Sequence, residues 1–125
     1  DPIGPAIGLF HEEFYQACFN CLNDDGMLVC QSETPFLSEQ SEYVKDIHKS
    51  LKQVFPHVQL YLSYIPTYPS GAWGLTLASK QYKPANDFQS ERYNQDKLAL
   101  KYYNSEMHFA ALALPNFVKE LLNIR

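Results

Sequence analysis

The sequence predicts an α/β fold, and three observations predict it. Helix-like and strand-like periodicities alternate along the first 80 residues, a short apolar run follows directly on a helix stop, and two alternating segments flank a Pro-rich connection. Over residues 8–23, Leu9, Phe10, Phe14, Ala17, Cys18, Cys21 and Leu22 recur at helical spacing, and Asn23-Asp24-Asp25-Gly26 supplies a stop ending in glycine. Met27-Leu28-Val29-Cys30 is continuously apolar, which predicts a strand covered on both faces, as in a parallel sheet. Gln31, Ser32 and Glu33 form its polar carboxyl end. Residues 38–55 carry Val44, Ile47, Leu51, Val54 and Phe55 on one helix face and Glu42, Lys45, Asp46, Lys49 and Lys52 on the other, ending before Pro56. Val58, Leu60, Leu62 and Tyr64 alternate with Gln59, Tyr61 and Ser63, and Trp73, Leu75 and Leu77 alternate with Gly74, Thr76 and Ala78. These two strands are expected to pair antiparallel. Residues 81–96 are polar and read as a loop, whereas 105–113 and 115–124 read as short helices, the second with Pro115 at its first position. Three strands are few for a doubly wound sheet, which usually has about five or six. Upstream sequence is therefore expected to supply the rest.

A chain of 125 residues is one domain at most, and 46% hydrophobic residues, 18 of them aromatic, are ample for a packed core. The net charge is −4, and no basic cluster interleaved with aromatics is present to neutralise phosphates, so a nucleic-acid partner is not expected. The mild acidic balance suits cationic ligands. No run approaches the roughly 18 apolar residues that cross a bilayer, and the start has neither the basic flank nor the apolar core of a signal peptide. The expectation is a cytoplasmic protein with no membrane partner. Cys18 and Cys21 fall three apart on one helix face, a spacing that also occurs in zinc and redox motifs, yet no second ligand pair follows. Reduced, buried thiols are the simplest reading for them and for Cys30. His11, His48, His57 and His108 share no spacing that would hold a metal.

In open α/β sheets ligands bind beyond the carboxyl ends of strands. Asp1, Gln31 and Tyr68 each fall just after a real or implied strand, so an acid, an amide and a phenol can converge at one rim. Each alone also has a plain structural reading: an Asp before Pro forms turns, a Gln at a strand end caps backbone groups, and a Tyr between prolines packs. The connection Ile65-Pro66-Thr67-Tyr68-Pro69-Ser70-Gly71 is stiffer than a hairpin requires.

Four segments in order, Asp1-Pro2-Ile3-Gly4-Pro5-Ala6, Gln31-Ser32-Glu33, Ile65-Pro66-Thr67-Tyr68-Pro69-Ser70-Gly71 and Tyr102-Tyr103-Asn104-Ser105-Glu106-Met107-His108, closely resemble the C-terminal half of the spermidine synthases, a family of polyamine aminopropyltransferases. The resemblance runs from Asp1 almost to the C-terminus. It implies the C-terminal part of a doubly wound, methyltransferase-like (Rossmann-like) sheet ending in an antiparallel strand pair, normally preceded by a small β domain and a glycine-rich nucleoside-binding half. It also implies transfer of an aminopropyl group from decarboxylated S-adenosylmethionine, a co-substrate, to putrescine, giving spermidine and methylthioadenosine.

By the same resemblance the catalytic base is an Asp three residues before Asp1, so no catalytic residue is expected within these 125 residues and the chain alone is expected to be inactive. Asp1, Gln31 and Tyr68 correspond to diamine-binding positions, and Pro5, Ala6 and Leu9 to positions beside the adenine. Ile65 and Trp73 are read as packing residues next to the pocket, and His108 as fixing the C-terminal helices. Family members usually form homodimers. The alternatives are a related aminopropyltransferase acting on agmatine, cadaverine or spermidine, a putrescine N-methyltransferase on a similar scaffold, or a non-catalytic scaffold paralogue.

Overall fold

The computed structural model describes residues 4–124. A 3₁₀ helix, Gly4–Phe10, leads into α1 (Glu12–Cys21), β1 (Met27–Gln31), α2 (Ser38–Val54), β2 (His57–Tyr64), β3 (Ala72–Ser79), α3 (Ser90–Asp96), α4 (Ser105–Leu112) and α5 (Asn116–Leu121). The sheet order is β1-β3-β2, with both pairings antiparallel. The expected β2–β3 pair is thus present, in the register Leu60 opposite Thr76 and Tyr64 opposite Ala72.

Directly opposed residues share a face of the sheet. Leu28 and Val58 lie opposite Ala78, and Cys30 and Leu60 opposite Thr76, so these six side chains form one face. Against it pack Tyr15 of α1 and Ile47, Leu51 and Phe55 from α2 and its end, with Val44, Leu60, Leu114, Val118 and Leu122 continuing the core toward α5. Val44, Ile47, His48 and Leu51 recur at helical spacing, which is why α2 buries one stripe. Its acid in the first turn, Glu39, and base in the last, Lys52, match the helix dipole. Lys80, just after β3, donates from Nζ to the Leu22 carbonyl at 2.7 Å and lies 4.4 Å from the Phe19 ring centre, tying the end of the sheet to the end of α1.

Three expectations require correction, and a fourth is half met by the described residues: of the strand at Met27 they cover one face, where Leu28 and Cys30 meet the helices, while Met27 and Val29 on the other are 50% and 48% exposed. The first α-helix starts at Glu12 rather than Gly8, the preceding turn being 3₁₀ with Pro5 inside it. Residues 90–96 are helical rather than loop; α3 has no aliphatic stripe and is anchored instead by Tyr93, which packs against Phe88 and Tyr103, with the exposed Arg92–Asp96 pair at 3.7 Å adding little. The cysteines are free thiols, but Cys21 is exposed and Cys18 and Cys30 are half-buried.

The C-terminal helices are fastened by rings. Nε2 of His108 donates to the Pro84 carbonyl at 2.8 Å, which leaves Nδ1 to accept from the Tyr103 hydroxyl at 2.9 Å. Its ring stacks on Phe88 at 4.4 Å, in keeping with the fixing role expected of it. Tyr102 reaches the outer strand, where its hydroxyl accepts from the Tyr64 N–H at 3.0 Å and lies 3.4 Å from the Ser63 hydroxyl. Among the described residues no helix is long and apolar enough to cross a membrane.

His48 is buried, and neither ring nitrogen has a partner among the described residues. Desolvation, helped by the Lys52 charge, pushes its pKa down to about 4. The unfolded chain therefore takes up this proton near its ordinary pKa of about 6.5, while the folded chain resists until far lower pH. Stability is expected to fall by about 2 kcal/mol between about pH 6.5 and pH 5. Denaturant unfolding across this range measures it, and His48→Leu is expected to flatten that part of the curve.

Candidate active site

β1 and β2 run in the same direction on either side of β3, so the ends of β1 and β2 and the start of β3 share one rim. Beyond this rim runs the connection 65–71, built from two successive turns. The Tyr68 N–H donates to the Ile65 carbonyl at 2.9 Å and the Gly71 N–H to the Tyr68 carbonyl at 3.0 Å. Pro66 and Pro69 each take the second place of a turn, where their fixed φ is pre-set. Ser70 takes the third place of the second turn at φ 73°, the positive value a type II turn demands. A bond from the Ile65 N–H to the Gly71 carbonyl, 2.9 Å, closes the connection on itself. Tyr68 is thereby held between two rigid links, and 41% of it is exposed.

Gln31, the last residue of β1, lies opposite Leu75. Trp73, two residues before Leu75 on the same face, is its diagonal neighbour, a relation that spans about 7–8 Å. The Tyr68 ring meets the Trp73 ring edge to face, with centroids 4.6 Å apart. Trp73 is 5% exposed and its Nε1 has no partner among the described residues. Gln31 and Tyr68, separated by 36 residues of sequence, are therefore brought to one rim with Trp73 between them.

Past Gln31 the ladder takes in an extra residue. The Ser32 N–H donates to the Gly74 carbonyl at 2.9 Å, but the Gly74 N–H donates to the Glu33 carbonyl at 2.7 Å, so two residues oppose one in the manner of a β-bulge. Glu33 adopts φ 62°, in the left-handed region that non-glycine residues rarely occupy. Ser32 turns into the sheet, its hydroxyl donating to Thr76 Oγ1 at 2.7 Å. Thr34 Oγ1 lies 2.8 Å from Ser70 Oγ, which itself donates to the Ala72 carbonyl at 3.0 Å. The segment after β1 and the Tyr68 connection are thus joined by hydroxyls as well as by backbone.

Asp1 lies outside the described residues. Pro5, Ala6 and Leu9 sit on the 3₁₀ helix, with Leu9 52% exposed, and no hydrogen bond or aromatic contact among the described residues joins them to the Gln31–Tyr68 rim. Glu33, Thr34 and Trp73 are the contributions to the rim that sequence reasoning passed over or read as packing. The polar triplet Gln31-Ser32-Glu33 straight after an apolar run was the available signal. A concavity of about 520 Å³ lined by Met27, Tyr82, Phe88 and His108 lies toward the opposite end of β1. The chemistry, not the volume, places the candidate site at the rim.

The architecture is that of a methyltransferase-like α/β sheet of the doubly wound class. It superposes on the spermidine synthase of Thermotoga maritima with a TM-score of 0.86 at 44% identity, covering 94% of this chain and 40% of that one. On a spermidine synthase solved in complex with the transition state analogue AdoDATO the TM-score is 0.90, also at 44% identity, covering 98% of this chain and 42% of the other. Residues 1–90 match the family model of the spermine/spermidine synthase domain, and the chain belongs to that family. Polyamine aminopropyltransferases from Alkaliphilus oremlandii and Lachnoclostridium phytofermentans are 48% and 47% identical to it over 122 residues, 98% of this chain. The chain spans 43% of the length of each of those relatives.

Proposed function

We propose that these residues are the C-terminal part of the catalytic domain of a spermidine synthase, and that they supply the diamine-facing side of its site. The full-length protein would transfer the aminopropyl group of decarboxylated S-adenosylmethionine to putrescine. The observation that carries this reading is the convergence of Gln31 and Tyr68 at the rim of a chain 44–48% identical to aminopropyltransferases. The solved relative that holds a transition state analogue supports the same chemistry.

An alkyl amine has a pKa of about 10.4, so freeing its lone pair at pH 7 costs about 3.4 units, roughly 4.6 kcal/mol. A base must take that proton, and the family resemblance puts the base upstream of Asp1. The nitrogen then attacks the methylene carbon next to the sulfonium. An N–C bond forms, the C–S bond breaks, and its electron pair leaves with sulfur as methylthioadenosine. The remaining contribution is orientation, which a stiff connection and a bonded strand end provide. Gln31 offers an amide oxygen and Tyr68 a phenol oxygen to an ammonium, while Trp73 backs the Tyr68 ring and holds it in place. Asp1, by its motif, adds a carboxylate, and Pro5, Ala6 and Leu9 would lie beside the adenine. A homodimer in the cytoplasm completes this reading.

Product analysis with a panel of amines tests it. The full-length protein is expected to make spermidine and methylthioadenosine from putrescine, and purified residues 1–125 to make neither. Turnover by the isolated chain, or a methylated diamine as product, would overturn the proposal.

A further inference from the structure

On a chain of net charge −4, three lysines line a single hollow between α2 and the end of α5. Lys45, His48, Lys49 and Lys52 stand at i, i+3, i+4 and i+7 along α2, a spacing that sets them on one side of the helix. Gln53 adds an amide from α2, and Asn123, held in left-handed geometry at φ 52° just past α5, adds another. The hollow measures about 310 Å³, and none of the described residues lining it is acidic. α2 ends just ahead of the first residue of β2, so this place lies toward the end of the sheet away from Gln31 and Tyr68.

Glu42 engages Lys45 at 3.2 Å, whereas Lys49 and Lys52 enter no ion pair among the described residues. Like charges three and four residues apart weaken a helix, and an anion between them turns that repulsion into attraction. Beside them His48 is 3% exposed, and neither of its ring nitrogens has a partner among the described residues. A buried N–H without an acceptor is a cost that a ligand removes. We propose that the hollow binds a small phosphate monoester, whose head sits between Lys49 and Lys52 and accepts from one ring N–H of His48. At neutral pH such a head is chiefly a dianion, its second pKa being about 6, and so matches the two unpaired cations. A carboxylate would leave one of them unanswered. Gln53 and Asn123 offer further donors, and Leu121 and Leu122 an apolar side for a short organic group. No Phe, Tyr or Trp lines the hollow to stack a base, which argues against a nucleic-acid strand. The proposal does not depend on aminopropyl transfer.

Titration calorimetry of the full-length protein with methyl phosphate, at constant ionic strength and neutral pH, tests it. A dissociation constant of about 1 mM or tighter is expected, with acetate about tenfold weaker. Lys49→Gln combined with Lys52→Gln is expected to weaken methyl phosphate about tenfold. Both lysines are exposed, so the fold tolerates the change. Lys97→Gln combined with Lys101→Gln makes the same change of net charge outside the hollow and is expected to alter binding by no more than about twofold. His48→Leu is expected to weaken binding about fivefold. No binding by the parent, an unchanged constant in the Lys49 and Lys52 variant, or equal losses in the two double variants would overturn the proposal. Unchanged binding by His48→Leu would overturn the part given to the imidazole.

Discussion

Gly74→Ala is expected to destabilise the fold by about 1–3 kcal/mol and to lower diamine turnover by the full-length protein at least tenfold. A Cβ at this position would stand 2.7 Å from the Glu33 carbonyl oxygen and 3.2 Å from Leu60 Cδ1. The first neighbour is backbone and cannot rotate away, so the strand end must move. Moving it lengthens the Gly74 N–H to Glu33 bond, now 2.7 Å, and shifts Gln31 relative to Tyr68. Gly8→Ala is the control, since nothing lies within 4 Å of a Cβ there and its φ is not positive. It is expected to stay within about 0.5 kcal/mol of the parent. Thermal unfolding gives the first quantity and steady-state kinetics the second; equal behaviour of the two variants would show that the close approach at Gly74 does not matter.

Tyr68→Ala in the full-length protein is expected to raise KM for putrescine by on the order of a hundredfold, about 2.7 kcal/mol. The substitution removes the phenol offered to the amine and uncovers the Trp73 ring on which it rests at 4.6 Å. Tyr68→Phe separates the two effects. It keeps the ring contact and loses only the hydroxyl, for which a five- to thirtyfold change, about 1–2 kcal/mol, is expected. Binding of the nucleoside co-substrate is expected to change little in either variant. A Tyr68→Phe variant with wild-type KM would remove the hydroxyl from the site and leave Tyr68 a packing residue.

Much of this architecture was legible in the residues because periodicity reports burial. Residues 38–55 showed a stripe that α2 does bury, and the alternation on both sides of the Pro-rich connection gave the antiparallel pair. The apolar run at Met27 signals apolar surroundings but not which neighbours provide them; among the described residues only Leu28 and Cys30 meet helices. α3 was hidden because its contacts are an ion pair and rings, neither of which leaves an aliphatic period. At the site, Gln31 and Tyr68 could be named from their positions after strands. The bulge at Glu33 could not, because it depends on which partner the Gly74 N–H finds across the sheet. The importance of Gly74 likewise emerges only when β3 is laid against the end of β1.

The Tyr102 hydroxyl on the outer strand has one more consequence. Among the described strands β2 is a border of the sheet, and a border strand presents free backbone donors that can template the addition of a foreign strand. By occupying the Tyr64 N–H at 3.0 Å, the phenol fills the position that an incoming carbonyl would take. The Tyr102 phenol thus blocks one of the places at which an added strand would bond, and concentrated Tyr102→Phe protein should aggregate sooner than the parent.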